Sequence, residues 1–278
     1  MAVLLSALEL RSIVPGVRVV AVPSPTLPPA TTTNCWLLGD RDVIAVDPAG
    51  VTERARAGLD HALDAGGLRV AAIFLTHHHG DHFGGAAHLR ARTGAPIWAH
   101  PWTIAHVGVS VDRALAPDET LDTDDGRRWR LLHTPGHAPG HLCAFDGETV
   151  VAGDMVAGEG TIVLDPPEGD LAQYLDSLER LLALGAQRLL PAHGPVIEPA
   201  VPLLRHYIDH RHARTEQVRR ALEATPGARP IDLVATIYAD LPPLFHPVAA
   251  RQVLCHLRWL QTRGAAWPQA DRWTSTPP

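Results

Sequence analysis

Residues 76–82 of the chain read Thr-His-His-His-Gly-Asp-His, and this stretch guides the interpretation of all the rest. It contains the pattern His-x-His-x-Asp-His, filled by His77, His79, Asp81 and His82. Such a density of imidazole and carboxylate groups is more than core packing requires, and a mixed nitrogen and oxygen set suits zinc, iron or manganese. The alternative is a surface histidine run or a tag remnant, but a tag lies at a terminus and lacks the interleaved Gly-Asp. We therefore expect a metal site here.

The flanking sequence predicts where this stretch lies. Residues 68–75 form a mostly apolar run of strand length, and residues 81–92 have a helical pattern. The histidines are therefore expected on a loop between a buried strand and a helix, where functional sites are often built.

Length and composition restrict the class of protein. The chain has 278 residues, of which 46% are hydrophobic, so a full core is expected. There is no apolar run of ~18 residues that would span a bilayer, so no membrane partner is expected. Residues 1–10 are apolar but are broken by Glu9 and lack a basic start, so we expect no signal peptide. Three widely separated cysteines argue against a disulfide framework and for a cytoplasmic protein.

Charge is distributed unevenly along the chain. Residues 1–200 hold 14 Arg and 24 acidic residues, whereas residues 201–278 hold 10 Arg and 6 acidic residues. The pattern also changes after Pro199, from short strands and helices to helices alone. We therefore predict two domains, residues 1–200 and residues 201–278, of which the first is a mixed α/β sandwich with helices outside.

Other candidate ligands follow predicted strands. His137 follows Thr-Pro-Gly, Asp154 follows Gly153, and His193 follows Pro-Ala, while Asp47 ends an early strand. Two metal ions ~3.5–4 Å apart need about seven ligands, one of them bridging. The candidate ligands number seven: His77, His79, Asp81, His82, His137, Asp154 and His193.

With this set the chain resembles the metallo-β-lactamase-fold hydrolase superfamily over roughly residues 15–200. The resemblance implies an αββα sandwich and two Zn²⁺ ions, with Fe or Mn as alternatives. It implies that one metal is held by His77, His79 and His137, that the other is held by Asp81, His82 and His193, and that Asp154 bridges them. Asp47 would hold the histidine loop by hydrogen bonds.

The C-terminal residues add a second resemblance. The motif Gly-His-Ala-Pro-Gly-His (136–141) and the helical part after residue 200 resemble the subgroup around β-lactamase-like protein 2, which carries a small C-terminal winged-helix domain. Known members of that subgroup include an endonuclease for single-stranded RNA. A winged helix can contact nucleic acid, but it can equally serve for dimerisation or cover a substrate, so a homodimer is one expectation.

The resemblance implies a dinuclear metallohydrolase in which a metal-bound hydroxide attacks the substrate, because metals lower the pKa of bound water from ~15.7 toward ~7. Asp81 is expected to be catalytic, handling the proton of the nucleophile. The first hypothesis is an endoribonuclease acting on single-stranded RNA. The alternatives are a glyoxalase-II-like hydrolase of small-molecule esters, thioesters or lactones and, in a different class, a non-catalytic DNA-binding regulator. The complete ligand set speaks against the last.

Two further features have alternative interpretations. His141 is expected to be a structural histidine or to support a ligand, since it falls outside the ligand pattern. A basic stretch over residues 205–214, with three arginines and three histidines, is either a solvated helix face or a surface for phosphate contacts.

Overall fold

The computed structural model describes residues 8–277, so most of the N-terminal stretch in which no signal peptide is expected lies outside the described residues. The chain forms two compact units. The first contains Met1–Thr134, Gly140–Thr161 and Leu184–Ala200. The second contains Pro135–Pro139, Ile162–Ala183 and Val201–Pro278. The chain thus enters the second unit after Ala200, where the sequence predicts a domain boundary, and two earlier segments also belong to that unit.

The first unit contains a mixed sheet whose strands are hydrogen-bonded in chain order. The first three neighbouring pairs are antiparallel and the last three pairs are parallel. In chain order the strands are β1 (Leu10–Val14), β2 (Val17–Pro23), β3 (Thr32–Leu38), β4 (Asp42–Val46), β5 (Arg69–Leu75), β6 (Ile97–Ala99) and β7 (Arg113–Ala114).

A second mixed sheet of this unit follows in the chain. Its strands are β8 (Thr120–Asp122), β9 (Arg128–His133), β10 (Leu142–Phe145), β11 (Thr149–Gly153) and β12 (Arg188–Pro191). They are hydrogen-bonded in the order β12-β11-β10-β9-β8, and all pairs are antiparallel except β11–β12.

A hydrophobic core lies between the two sheets. Trp36 and Phe74 of the first sheet and Trp129 and Leu142 of the second belong to one buried cluster. The opposite face of the first sheet packs on helices, because Leu59 and Leu89 join its outward-facing residues in another cluster. These helices are α1 (Glu53–Ala65) and α3 (Ala86–Thr93). The alternation of apolar residues between the two faces therefore produces layers, as the sequence predicts.

The prediction of one continuous helix over residues 81–92 is wrong. The chain instead forms a short helix α2 (Gly80–Phe83), then Gly84-Gly85, then α3. The backbone N–H of Gly85 donates to the carbonyl of Pro48 at 2.6 Å, and a Cβ at Gly85 would lie 2.3 Å from that oxygen. The two glycines therefore permit a close approach of two loops, and this approach interrupts the helix. A further helix, α4 (Pro101–His106), follows β6.

The second unit is mainly helical. Its hydrophobic cluster joins Leu222 of the long helix, Leu233, Leu257 and Trp273, and all four are buried. Its elements are α5 (Leu171–Ala183), α6 (Ala200–Ala224), α7 (Pro230–Ile237), α8 (His246–Thr262) and the antiparallel hairpin β13 (Trp267–Gln269) and β14 (Arg272–Thr274). Helices followed by a short hairpin are the arrangement expected of a winged helix.

Within the described residues no helix has both the length and the apolar composition needed to cross a bilayer. All three cysteines, Cys35, Cys143 and Cys255, are buried and none is in a disulfide.

Candidate metal centre

The site of the first unit begins at Asp47, directly after β4. This residue has a φ of +52°, a conformation uncommon outside glycine. Its carboxylate is buried and accepts hydrogen bonds from the Thr76 backbone N–H at 2.8 Å and the Thr76 hydroxyl at 2.7 Å. The Nδ1 atom of His82 lies 2.9 Å from the same carboxylate. Asp47 therefore holds the loop of residues 76–82 by hydrogen bonds at both of its ends.

These bonds determine how His77 is presented. The Thr76 hydroxyl donates to Asp47, so its oxygen is the acceptor for Nδ1–H of His77, 3.0 Å away. The other ring nitrogen of His77, Nε2, lies 3.0 Å from Nδ1 of His79. His77 is fully buried and His79 is half-buried. Two ring nitrogens from alternate residues thus converge on one point.

The carboxylates lie beside the other histidines. The Oδ1 atom of Asp154, after β11, lies 3.6 Å from Nε2 of His82 and 3.4 Å from Nε2 of His193, after β12. The Oδ2 atom of Asp81, in the first turn of α2, lies 3.5 Å from Nε2 of His193. Six of the predicted ligands are therefore brought together, and we call them the histidine–aspartate cluster: His77, His79, Asp81, His82, Asp154 and His193.

Two overlapping groups within this cluster are close enough to hold a metal ion. In each, one ligand atom per residue lies within 4.8 Å of the others. One group is His77, His82 and Asp154, and the other is Asp81, His82 and His193.

His82 provides a test of whether a metal fits. Its Nε2 is buried and has no hydrogen-bond partner among the described residues. Burial acts to lower the pKa of His82, but the carboxylates of Asp154 and Asp47 outweigh burial and hold that pKa well above its usual range. The pocket thus favours positive charge at this point, and a nitrogen committed to no hydrogen bond faces it. A divalent cation suits both features.

Three residues that the sequence did not single out hold His193 in place. Its Nδ1–H donates to the Thr32 carbonyl at 3.0 Å. The Asn34 amide donates to the carbonyls of Pro191 at 3.0 Å and Gly194 at 2.8 Å, and the Trp36 indole donates to Pro191 at 3.1 Å. All three lie on β3, so that strand supports the loop that carries His193. Their signal in the sequence was weak: a polar residue, Asn34, directly before the apolar run that begins at Cys35.

His141 plays a comparable part for Asp154. Its Nε2 accepts from the backbone N–H of Asp154 at 3.1 Å, so its proton is on Nδ1, which lies 2.8 Å from the Thr134 hydroxyl. A Cβ at Gly153 would lie 2.5 Å from this ring, so the preceding residue has to be glycine. His141 thus orients the Gly153-Asp154 turn, which agrees with a supporting role.

The seventh predicted ligand, His137, belongs to the second unit through the segment Pro135–Pro139. It is buried, and its Nδ1 lies 2.8 Å from the Val163 carbonyl, to which it donates. A metal bound by His137 would therefore be coordinated by Nε2.

Comparison with known proteins agrees with this geometry. Residues 28–193 match the model of the metallo-beta-lactamase superfamily, and residues 230–273 match that of the beta-lactamase associated winged helix domain. The chain is 30% identical over 250 residues to a beta-lactamase-like protein 2 homolog of Drosophila melanogaster, a match covering 84% of this chain and 83% of that protein. It is 31% identical to an atrochrysone carboxyl ACP thioesterase of Passalora fulva, over 75% of this chain and 63% of that protein.

Solved structures show the same architecture. A metallo-beta-lactamase family protein from Thermus thermophilus superposes with a TM-score of 0.82 at 25% identity, covering 95% of this chain and 100% of that one. A smaller relative, solved in a di-iron-bound form, is 27% identical with a TM-score of 0.54, and the match covers 65% of this chain and 96% of that one. The predicted fold class and the winged helix are thereby confirmed. The chain belongs to the metallo-beta-lactamase superfamily, with the winged-helix domain associated with it.

Proposed function

We propose that this protein is a metal-dependent hydrolase with a dinuclear centre. The observation that carries the proposal is the convergence of imidazole nitrogens and carboxylate oxygens in the histidine–aspartate cluster, supported by the hydrogen bonds that hold His77, His82 and His193 to their own chain. Members of the superfamily are usually hydrolases, which agrees with the chemistry of these ligands.

The ligand roles follow the family pattern. His77, His79 and His137 would hold one metal, Asp81, His82 and His193 would hold the other, and Asp154 would contribute to both. Zinc suits this donor set, and iron is supported by the di-iron form of a relative. When bound, the metals supply Lewis-acid activation of water and of the scissile group.

Asp81 is proposed as the catalytic residue. Its side chain is 17% exposed, whereas that of Asp154 is 10% exposed and that of Asp47 only 2%. Of these three carboxylates it is therefore the most accessible to substrate and solvent, and we assign to it the transfer of the nucleophile's proton.

Small esters and thioesters are the favoured substrates. A thioesterase is among the relatives, and the net charge of −6 does not favour polyanions. The basic stretch of α6 is also engaged by its own unit, since Arg211 donates to the Ile162 carbonyl and Arg214 to the Ile237 carbonyl. Two of its three arginines are thus committed to internal contacts.

Single-stranded RNA is the second candidate. It is supported by the winged-helix match over residues 230–273 and by the excess of Arg over acidic residues in residues 201–278.

A reducing compartment such as the cytoplasm is supported by three buried cysteines without a disulfide.

The test compares both substrates with the same zinc-loaded protein. We expect hydrolysis of a short acyl thioester, and a loss of more than about 100-fold in His79→Ala, because changes even one step outside a metal's ligands cost about 10–100-fold. His88→Ala is the matched control, since His88 lies on α3 and contacts Asp60 at 2.8 Å instead of the cluster. It should retain full activity.

Each other outcome has a definite meaning. Cleavage of labelled single-stranded RNA that is lost in His79→Ala, without thioester turnover, would replace the first substrate by the second. Bound metal without turnover of either would favour a non-catalytic regulator and would overturn the enzymatic proposal.

A further inference from the structure

A five-residue segment of the second unit is held by side chains along its whole length. This is Ile162-Val-Leu-Asp-Pro166, which we call the clamped segment. It is not part of a sheet, so its backbone groups need other partners.

Its partners come from two directions. Arg211 Nη2, on α6, donates to the Ile162 carbonyl at 2.6 Å. The Gln252 amide, on α8, accepts from the Leu164 N–H at 3.1 Å and donates to the Leu164 carbonyl at 2.8 Å. The carbonyl between them, that of Val163, accepts instead from Nδ1–H of His137. Successive carbonyls of an extended chain point in opposite directions, so fixing residues 162 and 164 also fixes the direction of the Val163 carbonyl.

The two side chains form one buried unit. Arg211 is only 4% exposed, and its guanidinium lies over the Tyr174 ring at 5.0 Å from the centroid. Its Nη1 lies 3.5 Å from the Gln252 side-chain oxygen, and Gln252 is 8% exposed. The end of the segment is held as well, because Arg251 donates to the Asp165 carboxylate and the Pro166 carbonyl. Burying a guanidinium is costly unless it is hydrogen-bonded, so Arg211 and the Ile162 carbonyl hold each other in place.

We propose that Arg211 and Gln252 are positioning residues for His137. They hold the clamped segment so that the Val163 carbonyl retains Nδ1–H of His137, which fixes the tautomer and the ring plane with Nε2 as the coordinating nitrogen. This inference rests on the proposed function in that it takes His137 as a metal ligand. It gives the C-terminal helices a role in metal binding that needs no contact with substrate.

The expected size follows from known supporting residues. Loss of a hydrogen bond to a metal-binding histidine typically costs 10–100-fold in metal affinity. Arg211 and Gln252 act one step further out, through the backbone, so we expect about 10-fold for each single variant.

The experiment uses Arg211→Met in the full-length protein, with Arg214→Met as its matched control. Arg214 lies three residues further along α6 and makes the same kinds of contact, donating to the Ile237 carbonyl at 2.7 Å and lying 4.1 Å from the centroid of the Tyr238 ring. Both variants therefore lose a guanidinium, a hydrogen bond to a backbone carbonyl and an aromatic contact, but only Arg211 contacts the clamped segment.

Two measurements are made on each variant. Cobalt(II) titration followed by absorption spectroscopy reports metal affinity, and we expect it to fall about 10-fold in Arg211→Met and to stay within about 2-fold of wild type in Arg214→Met. Nitrogen-detected NMR of the metal-free protein reports the His137 tautomer, and we expect the protonated Nδ1 to be lost only in Arg211→Met. Arg211→Lys, which retains a donor for the Ile162 carbonyl, should restore most of the affinity. Gln252→Met should also increase hydrogen exchange of the Leu164 amide.

Failure of this inference can be told apart from failure of the proposed function. Equal cobalt affinities and equal His137 spectra in the two methionine variants would overturn the positioning role while leaving the hydrolase intact. If wild type binds no metal and turns over no substrate, the proposed function fails, and the tautomer of His137 in the metal-free variants still decides whether the clamp orients that ring.

Discussion

Two buried polar clusters, one in each unit, shift the pKa of a buried histidine in opposite directions. In the first unit His82 lies among Asp47, Asp81 and Asp154, and its pKa is held well above the usual range despite burial. In the second unit burial, reinforced by Arg211, lowers the pKa of His256 to about 3. Both rings are at most 1% exposed, so the surrounding charges and not burial decide the difference.

The two clusters also differ in whether their hydrogen bonds are completed by groups of the chain. The Thr215 hydroxyl donates to the Arg211 carbonyl at 3.0 Å and lies 2.7 Å from Nδ1 of neutral His256, so it accepts that proton. This pair is complete with groups of the chain. The first cluster has several carboxylates and a buried Nε2 of His82 with no partner among the described residues. Buried histidine alone therefore does not identify a site, whereas histidine beside an excess of carboxylates does.

Among the residues that support the candidate ligands, the largest effect is expected from Asp47→Ala. This change removes the acceptor of Thr76 N–H, of the Thr76 hydroxyl and of His82 Nδ1 together, so we expect metal affinity to fall about 10–100-fold. Stability should fall by about 1–3 kcal/mol for each buried donor left without a partner. Metal titration and urea denaturation measure the two effects.

Asp124→Ala is the control for this comparison. The Asp124 carboxylate also accepts backbone N–H groups, from Asp40, Arg41 and Asp42 at 2.6, 2.8 and 2.8 Å, but it is exposed and makes no contact in the cluster. It should leave metal affinity unchanged. An equal loss of affinity in the two variants would mean that general loosening of the first unit explains the result.

A smaller effect is expected from Asn34→Ala. The change leaves the carbonyls of Pro191 and Gly194 without the Asn34 amide, which costs about 1–3 kcal/mol for buried groups. Because these carbonyls flank His193, metal affinity should fall as well, and calorimetry of the metal-free and zinc-loaded forms separates the two contributions. Loss of stability without any loss of affinity would show that the β3 contacts do not orient His193.

The second cluster predicts a pH dependence of stability. The pKa of His256 is about 3 in the folded protein, against ~6.5 for an unperturbed histidine, so only the unfolded chain takes up this proton between those values. Stability is therefore full above about pH 6.5 and falls by up to about 1.4 kcal/mol per pH unit as pH decreases toward 3. The groups that lower this pKa besides burial are Arg211, Arg214 and His210.

His256→Gln removes the titrating group and retains a donor for Thr215. Urea denaturation at a series of pH values should show a smaller decrease in stability for this variant than for wild type as pH falls from about 6.5 to about 4. Parallel curves for the two proteins would contradict the low pKa.

The smallest effect is expected at Arg205, the exposed arginine of the basic stretch on α6. Arg205→Gln should leave the salt dependence of RNA binding unchanged if this face is only solvated. A phosphate contact at Arg205 would instead reduce the slope of log affinity against log salt by about 0.7. Binding assays at several salt concentrations distinguish the two and bear directly on the RNA alternative.

The convergence of the candidate metal ligands was predictable because their chemistry is local. The pattern of His77 to His82 and the residues after strand ends suffice to propose them, since carboxyl ends of neighbouring strands meet at one edge. Asn34, Thr76 and Thr134 were not found, because a polar residue within or beside an apolar strand shows its partner only when the strands are paired.

The layers of the fold were predictable and some of its details were not. The interruption of the helix at Gly84-Gly85 had a signal in the two glycines, but its cause is a contact with Pro48, distant in sequence. Strands of two or three residues, such as β7 and those of the C-terminal hairpin, are too short for their periodicity to be read. The clamped segment has the apolar composition of a strand and pairs with side chains instead.

The division of the chain into units restricts how the protein can be shortened. Residues 135–139 and 162–183 belong to the same unit as residues 201–278. A truncation after Ala200 would remove Arg211 and Gln252 and leave the Ile162 and Leu164 carbonyls and the Tyr174 ring without their partners. For expression, crystallisation or domain exchange, the C-terminal helices are therefore not a detachable appendage, and any chimera has to exchange all three segments together.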